Sequence, residues 1–234
     1  MVKPSFRRMM AAKKELIDFA FKNNIIRSFL DLGGVWNVDA AYTFYALDKY
    51  KPDFAFLVDG IITESVAQKK QKYPNLTIIQ GSFGDNTTIS RLKKVDAIFM
   101  FDILLHQVNP DWDEILEFYK PLTNYFLIFN QQFNASKTTR LLDLGMEGYF
   151  ANVPANARNL PVYKKVFESM NEINPEQKKP WRDIHNIWQW GITNKDLINK
   201  VTSMGFELKY QKDAGQFGKL KNFRNYAFIF QKKK

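Results

Sequence analysis

Short apolar runs alternate with amphipathic stretches along the first 130 residues of the chain. The apolar runs are 26–32, 54–58, 76–80, 95–105 and 125–129, and the amphipathic stretches are 13–23, 38–50, 64–73, 89–94 and 111–122. Continuous apolar runs bounded by Gly, Pro or Asp are typical of parallel strands buried on both faces, and helical spacing between them is typical of crossover helices. The pattern therefore predicts an α/β fold with a doubly wound sheet and right-handed crossovers.

The alternation stops between about residues 135 and 190, a segment that contains four prolines and three of the five tryptophans. We expect a mostly helical insertion there. Thr193 and Asp196 then have the spacing of a helix start, and Gly205 that of a helix stop. Two further strands are predicted at 206–212 and 226–231, joined by a loop over 213–225. We expect one domain spanning residues 1–234, with 135–190 as an insertion within it.

Composition narrows the possible chemistry. The 234 residues are 45% hydrophobic and 25% charged, which fits a globular domain and excludes wholesale disorder. The absence of Cys excludes disulfides and thiolate zinc sites, and two His leave little for a metal centre, so no metal is predicted. Neither a signal-peptide apolar region nor an apolar run near 18 residues is present, so we expect a cytoplasmic protein without a membrane partner.

A net charge of +10 is typical of proteins that bind nucleic acid, but the distribution of this charge along the chain does not support that interpretation. Residues 1–30 hold seven Lys or Arg against two acids, and residues 207–234 hold eight against two, whereas the middle is nearly neutral. Basic tails are usually solvated and solubilising. Nucleic acid is therefore not the expected partner, although a nucleic-acid-binding function stays open as an alternative.

The residues that end each predicted strand are the candidates for a ligand site, because ligands of open parallel sheets bind beyond the carboxyl ends of the strands. These residues are Asp31, Gly33, Gly34, Asp59, Gly60, Ser82, Phe83, Asp102, Leu104 and His106. Two glycines allow the backbone to approach a ligand closely, and a carboxylate after the second strand suits a ribose diol. A nucleoside cofactor fits this arrangement. The pyrophosphate cradle of dinucleotide folds is not recognisable, since Val35-Trp36-Asn37 follows the glycines.

The same residues resemble the class I S-adenosylmethionine-dependent methyltransferase family. Residues 29–34, FLDLGG, resemble its first motif, and residues 56–59, FLVD, resemble its second strand with the acid. Residues 81–85 resemble the loop on its adenine side, and residues 96–102 resemble its fourth strand. The likeness spans about 170 residues without the insertion, and it implies a mostly parallel seven-stranded sheet with an antiparallel last strand.

The resemblance implies S-adenosyl-L-methionine as the cofactor and gives the strand-end residues their roles. Gly33 and Gly34 would pass close to the methionine part, and Asp59 would hold the ribose; Asp31 and Gly60 are also expected among the cofactor-binding residues. Ser82 or Phe83 would flank the adenine, and Asp102 and Leu104 would line the methyl-donor side. Trp36 departs from the family, which usually keeps a small residue there.

The insertion would close over the site as a lid and bring aromatic residues to a small-molecule acceptor. The predicted substrate-binding residues are Asn130, Gln131, Trp181, Trp188 and Arg224. An oxygen nucleophile would also need a base, for which His106 and His185 are the candidates. Simpler roles remain open: Asp31 accepting backbone N–H groups, Asp59 forming a turn, and each histidine serving only in packing.

Three functions are therefore weighed. The first is a methyltransferase acting by O- or N-methylation on a small, polar or anionic acceptor. The second is a nucleic-acid-binding protein or nucleic-acid methyltransferase, and the third is a catalytically silent interaction domain with this fold, suggested by Trp36. The sequence does not define the oligomeric state.

Overall fold

A seven-stranded sheet forms the centre of the protein. The computed structural model describes residues 4–153, 161–183 and 188–233. The strands are β1 Ser28–Leu32, β2 Phe54–Asp59, β3 Leu76–Gln80, β4 Val95–Phe101, β5 Thr123–Phe133, β6 Phe206–Gln216 and β7 Phe223–Lys232. They lie in the order β3-β2-β1-β4-β5-β7-β6, and β7 runs antiparallel to both of its neighbours. The predicted fold class is confirmed.

Helices cover both faces of this sheet. They are α1 Pro4–Asn23, α2 Ala41–Tyr50, α3 Glu64–Lys70, α4 Asn86–Ile89, α5 Trp112–Tyr119, α6 Gly145–Asn152, α7 Pro161–Glu168 and α8 Asn194–Ser203. One core cluster joins α1, α2 and α3 to one face, and a second joins α5 and α8 to the other. Central strands are therefore buried on both sides, which explains their continuous apolar runs.

Several element boundaries differ from the predicted ones. The first helix begins at Pro4 rather than residue 13, because residues 4–12 are rich in helix-forming Met, Ala and Arg. A helix was expected at 89–94, but α4 ends at Ile89. The polar stretch Asn130–Gln132 continues β5 because it pairs with Arg224–Tyr226 of β7. Both strands therefore extend beyond the apolar runs that predicted them.

The segment between β5 and α8 carries its own apolar cluster. The described part of this segment contains α6, α7 and short 3-10 turns at Leu142–Leu144 and Trp181–Asp183. Tyr149, Val166 and neighbouring side chains pack on Phe133 and Phe223, which lie where β5 ends and β7 begins. The segment therefore lies against the carboxyl end of β5. Within the described ranges, no helix has the length and apolar character to cross a membrane.

Candidate functional site

The turn after β1 requires both of its glycines. Gly33 has a φ of +69°, and a Cβ there would lie 2.7 Å from Cγ2 of Ile103, which follows β4. A Cβ on Gly34 would lie 2.5 Å from Oδ2 of Asp31. A side chain at either position would force its neighbours to shift, so both positions favour glycine. The backbone of this turn consequently carries no side chains at the point where β1 and β4 end side by side.

The rest of this turn is longer than expected. Asn37, Asp39 and Ala40 all have left-handed φ values, so α2 begins at Ala41 rather than at residue 38. Trp36 is 60% exposed, and its indole therefore lies outside the core rather than filling a buried cavity.

Asp59, the last residue of β2, ties two loops together. Its Oδ2 accepts a hydrogen bond from the backbone N–H of Val35 at 2.8 Å, and its Oδ1 accepts one from Ile61 at 3.1 Å. The side chain is buried at the carboxyl edge of the sheet, beside the glycine turn. Because a carboxylate has about four acceptor positions, these two bonds leave capacity for further donors.

Asp31 is a buried carboxyl group beneath the glycine turn. The Thr43 hydroxyl donates to its Oδ2 at 2.5 Å, whereas its Oδ1 has no hydrogen-bond partner among the described residues. Burial raises the pKa of Asp31 to about 7, and the negative charge of Asp59 acts in the same direction. The Thr43 hydrogen bond and the charge of Lys13 act against that rise. An orphaned acceptor here favours a donor or cation from outside the chain.

A chain of polar side chains connects the ends of β4, β5 and β7. Asp102 follows β4 in a left-handed conformation, with a φ of +58°. Its Oδ1 accepts from Nε2 of Gln131 at 2.7 Å, and Nε2 also contacts Oδ1 of Asn225 at 3.2 Å. The ammonium of Lys13, from α1, donates to Oδ2 of Asp102. The predicted residues Asp102 and Gln131 are therefore in direct contact.

Phe83 lies beside the same turn, on the β3 side. Its ring is 3.5 Å from the position that a Cβ on Gly33 would take, and its carbonyl accepts from the Tyr119 hydroxyl at 2.7 Å. Ser82 and Gly60 are both exposed. The Ser82 Oγ accepts a hydrogen bond from the Gly84 N–H, at 3.3 Å.

The structure does not support Leu104 as a lining residue. Its side chain is fully buried in the core beneath the sheet's edge. The expected strand 95–105 ends at Phe101, and the chain then enters a 3-10 turn at Leu104–His106 that directs Leu104 inward. Its side chain therefore has no surface to offer a ligand, and Ile103 holds the position next to Gly33.

His106 and Trp188 contact each other at the edge of the insertion. Their rings meet edge to face with centroids 6.1 Å apart, and Trp188 also packs on Phe223 at 4.9 Å. The Tyr149 hydroxyl donates to the Trp188 carbonyl at 3.0 Å, which fixes the segment. Trp181 is half-buried against the same apolar cluster. His185 lies outside the described residues.

The remaining predicted residues differ in their availability. Asn130 is fully buried, and its Oδ1, like the whole amide of the neighbouring Gln132, finds no hydrogen-bond partner within the described ranges. Arg224 instead forms an ion pair with Asp213 of β6 at 2.6 Å. This ion pair engages the Nε of Arg224, and the side chain stays 41% exposed. The described part of the chain contains no cluster of three His, Asp or Glu arranged for a metal ion.

Sequence reasoning missed Lys13. It lies one helical turn before Leu16 and Ile17, which are both fully buried, and is itself only 4% exposed. A lysine on the apolar face of an amphipathic helix was a visible signal. Its partner was not visible, because only the packing of α1 against the sheet brings it to Asp102.

Comparison with solved structures identifies the fold. The N-terminal domain of EvdMO1, crystallised with S-adenosylhomocysteine and D-fucose, matches with a TM-score of 0.57 and 11% identity over 100% of this chain and 84% of that chain. A 1,6-didemethyltoxoflavin-N1-methyltransferase from Burkholderia thailandensis matches with a TM-score of 0.57 and 13% identity over 97% and 79%. A putative RNA methyltransferase from Pyrococcus horikoshii has a TM-score of 0.52 and 11% identity over 95% and 84%. No family model and no curated protein matches the sequence.

These similarities, together with the strand order, show that the chain has the fold of the class I S-adenosylmethionine-dependent methyltransferases.

Proposed function

We propose that this protein is an S-adenosylmethionine-dependent methyltransferase that acts on a small, polar or anionic acceptor. The observation that carries the proposal is the pairing of a side-chain-free turn, Gly33-Gly34, with the carboxylate of Asp59 at the end of the adjacent strand. Val35 links them, since its backbone N–H donates to Asp59. The glycine turn allows a ligand to approach the backbone closely, and the Asp59 carboxylate can accept further hydrogen bonds. Both features suit a nucleoside, whose ribose carries two adjacent hydroxyl groups.

The residues present fit the cofactor. Asp59 would accept from the ribose hydroxyls, the backbone of Gly33 and Gly34 would adjoin the chain that joins ribose to the amino-acid part, and Phe83 would flank the adenine. The orphaned Oδ1 of Asp31 adds a buried acceptor that suits a cationic ligand. When bound, S-adenosylmethionine supplies a methyl group on a positively charged sulfur, which becomes a neutral thioether as the methyl leaves.

The chain's own contribution is orientation, exclusion of water and proton removal. The segment 135–190 acts as the lid, because its apolar cluster seats it on Phe133 and Phe223 at the sheet's carboxyl edge. The His106 imidazole takes up the proton of the acceptor hydroxyl or amine, with Trp188 limiting its rotation through the edge-to-face contact. His185 is the second candidate base. Gln131 holds Asp102 at this edge through its amide, whereas the fully buried Asn130 offers an acceptor no surface.

An anionic acceptor is favoured by a cleft between α6 and the loop that joins β6 to β7. This cleft has a volume of about 310 Å³ and is lined by Ala151, Asn152, Lys219, Leu220, Lys221 and Asn222. The Nδ2 groups of Asn152 and Asn222 already donate to Gly148 and to Asn152, so the two lysines are the groups that suit a carboxylate or phosphate here. The toxoflavin-precursor methyltransferase of similar fold has a small-molecule acceptor, in line with this class of substrate.

A nucleic-acid substrate is the second candidate, because one protein of similar fold is a putative RNA methyltransferase. Some of the basic side chains near the chain's ends are held in ion pairs, which makes them less available for phosphate contacts and weakens this alternative. Lys212 pairs with Glu15 at 2.5 Å, and Arg224 pairs with Asp213. A nucleic-acid enzyme is expected to bind duplex or RNA with a steep dependence on salt.

Calorimetric titration with S-adenosylhomocysteine tests the proposal. The wild-type protein is expected to bind with micromolar affinity, and Asp59→Asn is expected to weaken binding at least ten-fold, because an amide cannot replace both acceptor oxygens. Asp53→Asn makes the same charge change at the opposite, exposed end of β2 and should bind like the wild type. Folded wild-type protein that gives no heat would refute the methyltransferase proposal and favour the silent interaction domain.

A further inference from the structure

Two large apolar side chains are exposed where β1 and β2 end. Trp36 is 60% exposed and Ile61 is 61% exposed. They lie on adjoining loops, because the Asp59 carboxylate binds the backbone N–H groups of Val35 and Ile61. Single apolar residues are common on protein surfaces, but two on adjoining loops at one edge are typical of an interaction surface.

Hydrogen bonds fix the conformation of the loop that carries Trp36. The backbone N–H of Asp39 donates to the Val35 carbonyl at 2.8 Å. The Thr63 hydroxyl donates to Oδ1 of Asp39 at 2.9 Å, which ties this loop to the one that carries Ile61. Asp39 also has a left-handed φ of 46°, a conformation that the surrounding structure must enforce. Because the loop is already ordered, a partner can bind it with little further loss of conformational entropy.

The two loops are acidic in a basic protein. Residues 33–40 and 59–68 contain three acids and neither Lys nor Arg, although the chain has a net charge of +10. The following side chains form what we call the Trp36 surface: Trp36, Asp39, Ile61 and Glu64. An exposed indole beside carboxylates favours a partner with arginines, since a guanidinium group pairs with carboxylates and stacks on tryptophan.

A matching basic surface lies on α1, at the same edge of the sheet. α1 runs towards the amino end of β1, and Lys13 contacts Asp102 where β4 ends. Residues 4–12, which we call the basic end of α1, therefore continue past β4 for roughly 13 Å of helix, at about 1.5 Å per residue. Arg7 and Arg8 are both exposed there. Within the described ranges, neither arginine forms an ion pair.

The basic end of α1 has the opposite charge to the one that a helix start favours. Helix N-termini are stabilised by acidic residues, because the N–H groups there carry partial positive charge. The first turn of α1 contains no acid, and Glu15 is the first acidic residue of the sequence. Arg7 and Arg8 therefore add positive charge to a positive helix end. Carboxylates from a second molecule would relieve this repulsion.

We propose that two copies of this chain form a two-fold dimer in which the basic end of α1 of each copy docks on the Trp36 surface of the other. The two guanidinium groups stack on the Trp36 indole and pair with the carboxylates of Asp39 and Glu64. Both surfaces lie at the carboxyl edge, on the side of the sheet that α1 and α2 cover, so one two-fold axis forms both contacts. Trp and Arg are also the residue types most enriched among those that dominate interface energies. This inference goes beyond the proposed function and does not depend on it.

Sedimentation velocity tests the dimer. Between about 1 and 100 µM protein in dilute salt, the wild type should pass from monomer to dimer, and about 0.5 M NaCl should shift it back towards monomer. Trp36→Ser should weaken the association at least about ten-fold, because it removes the central contact. Ile25→Ser removes an apolar side chain that is 81% exposed just before β1, at the opposite edge, and should associate like the wild type.

Mixing two variants tests which surfaces meet. A variant with both Arg7→Glu and Arg8→Glu should also lose at least about ten-fold in association. Each variant breaks both contacts of its own dimer, whereas a mixed dimer with Trp36→Ser keeps one contact intact. The mixture should therefore associate more tightly than either variant alone. The control carries Arg27→Glu and Arg91→Glu, the same charge change at exposed positions before β1 and β4, and should behave like the wild type.

Several results would overturn the inference. They are a wild type that stays monomeric over this range, a dimer that all variants retain, and a mixture that associates no more tightly than its components. Trp36→Ser that binds S-adenosylhomocysteine more weakly but sediments like the wild type would show that the indole covers the ligand instead. If Trp36→Ser does not fold, as judged by circular dichroism, the exposed change Glu64→Lys replaces it and should weaken the dimer likewise. None of these results decides the methyltransferase proposal, which calorimetric titration of the wild type tests separately.

Discussion

Replacing Asp31 by Asn should make the protein more stable at neutral and alkaline pH. The carboxyl group is 1% exposed, and burial raises its pKa from 3.8 to about 7. An acid whose pKa is higher in the folded state than in the unfolded state holds its proton more tightly when folded. The free energy of unfolding of the wild type therefore falls as the pH rises from about 4 to 7 and stays at the lower level above that.

The size of the effect follows from this pKa difference. At 1.36 kcal/mol per pH unit, the interval from 3.8 to about 7 corresponds to roughly 4 kcal/mol. The Asn amide would still accept from Thr43, but its NH2 group would occupy the orphaned position of Oδ1 at a cost of about 1–3 kcal/mol. We therefore expect Asp31→Asn to be about 1–3 kcal/mol more stable at pH 8 and equal or less stable at pH 4.

Urea denaturation monitored by circular dichroism from pH 4 to 9 measures this difference directly. Subtracting the wild-type curve removes the contribution of other groups, such as Asp18, whose pKa is lowered by its hydrogen bonds to Lys49, Tyr50 and Tyr45 despite partial burial. Asp53→Asn, at an exposed position, controls for the loss of one negative charge. A stability difference between Asp31→Asn and wild type that does not change with pH would show that the reasoning about burial is wrong.

Three further predictions concern packing, and urea denaturation measures each of them. Gly34→Ala should cost about 1–3 kcal/mol because its Cβ would meet the Asp31 carboxylate, whereas Gly60→Ala, with open space around it, should cost less than about 0.5 kcal/mol; equal costs would contradict the close approach at Gly34. Leu104→Ala should cost about 2–5 kcal/mol, as for a fully buried leucine, and a cost under about 1 kcal/mol would mean that the side chain faces a cleft after all. Trp36→Phe should change stability by less than about 0.5 kcal/mol because the indole is 60% exposed, and a loss above about 2 kcal/mol would indicate a buried role.

The sheet was predictable because each strand is marked by the hydrophobic pattern of its own short segment. Buried parallel strands need continuous apolar runs, and the runs at 54–58 and 76–80 match β2 and β3 to within one residue. The pairing of a glycine turn with a carboxylate on the next strand was also visible, since parallel strands bring their carboxyl ends to one edge. Gly33, Gly34 and Asp59 are neighbours in the structure for this reason.

The finer features of the site were not predictable because they depend on contacts between distant segments. The partner of Lys13 is 89 residues away and is set by how α1 crosses the sheet. The contact of Gln131 with Asn225 depends on the register between β5 and β7, which the polar sequence there does not signal. Leu104 was misassigned because nothing in an apolar run marks where the backbone leaves the strand.

A crystal structure of the protein soaked with S-adenosylhomocysteine tests the central claim most directly. We expect density beyond the carboxyl ends of β1 and β2, with both ribose hydroxyls within hydrogen-bonding distance of Asp59 and the ligand chain running over Gly33 and Gly34. Density elsewhere, or a ribose that does not touch Asp59, would contradict the account.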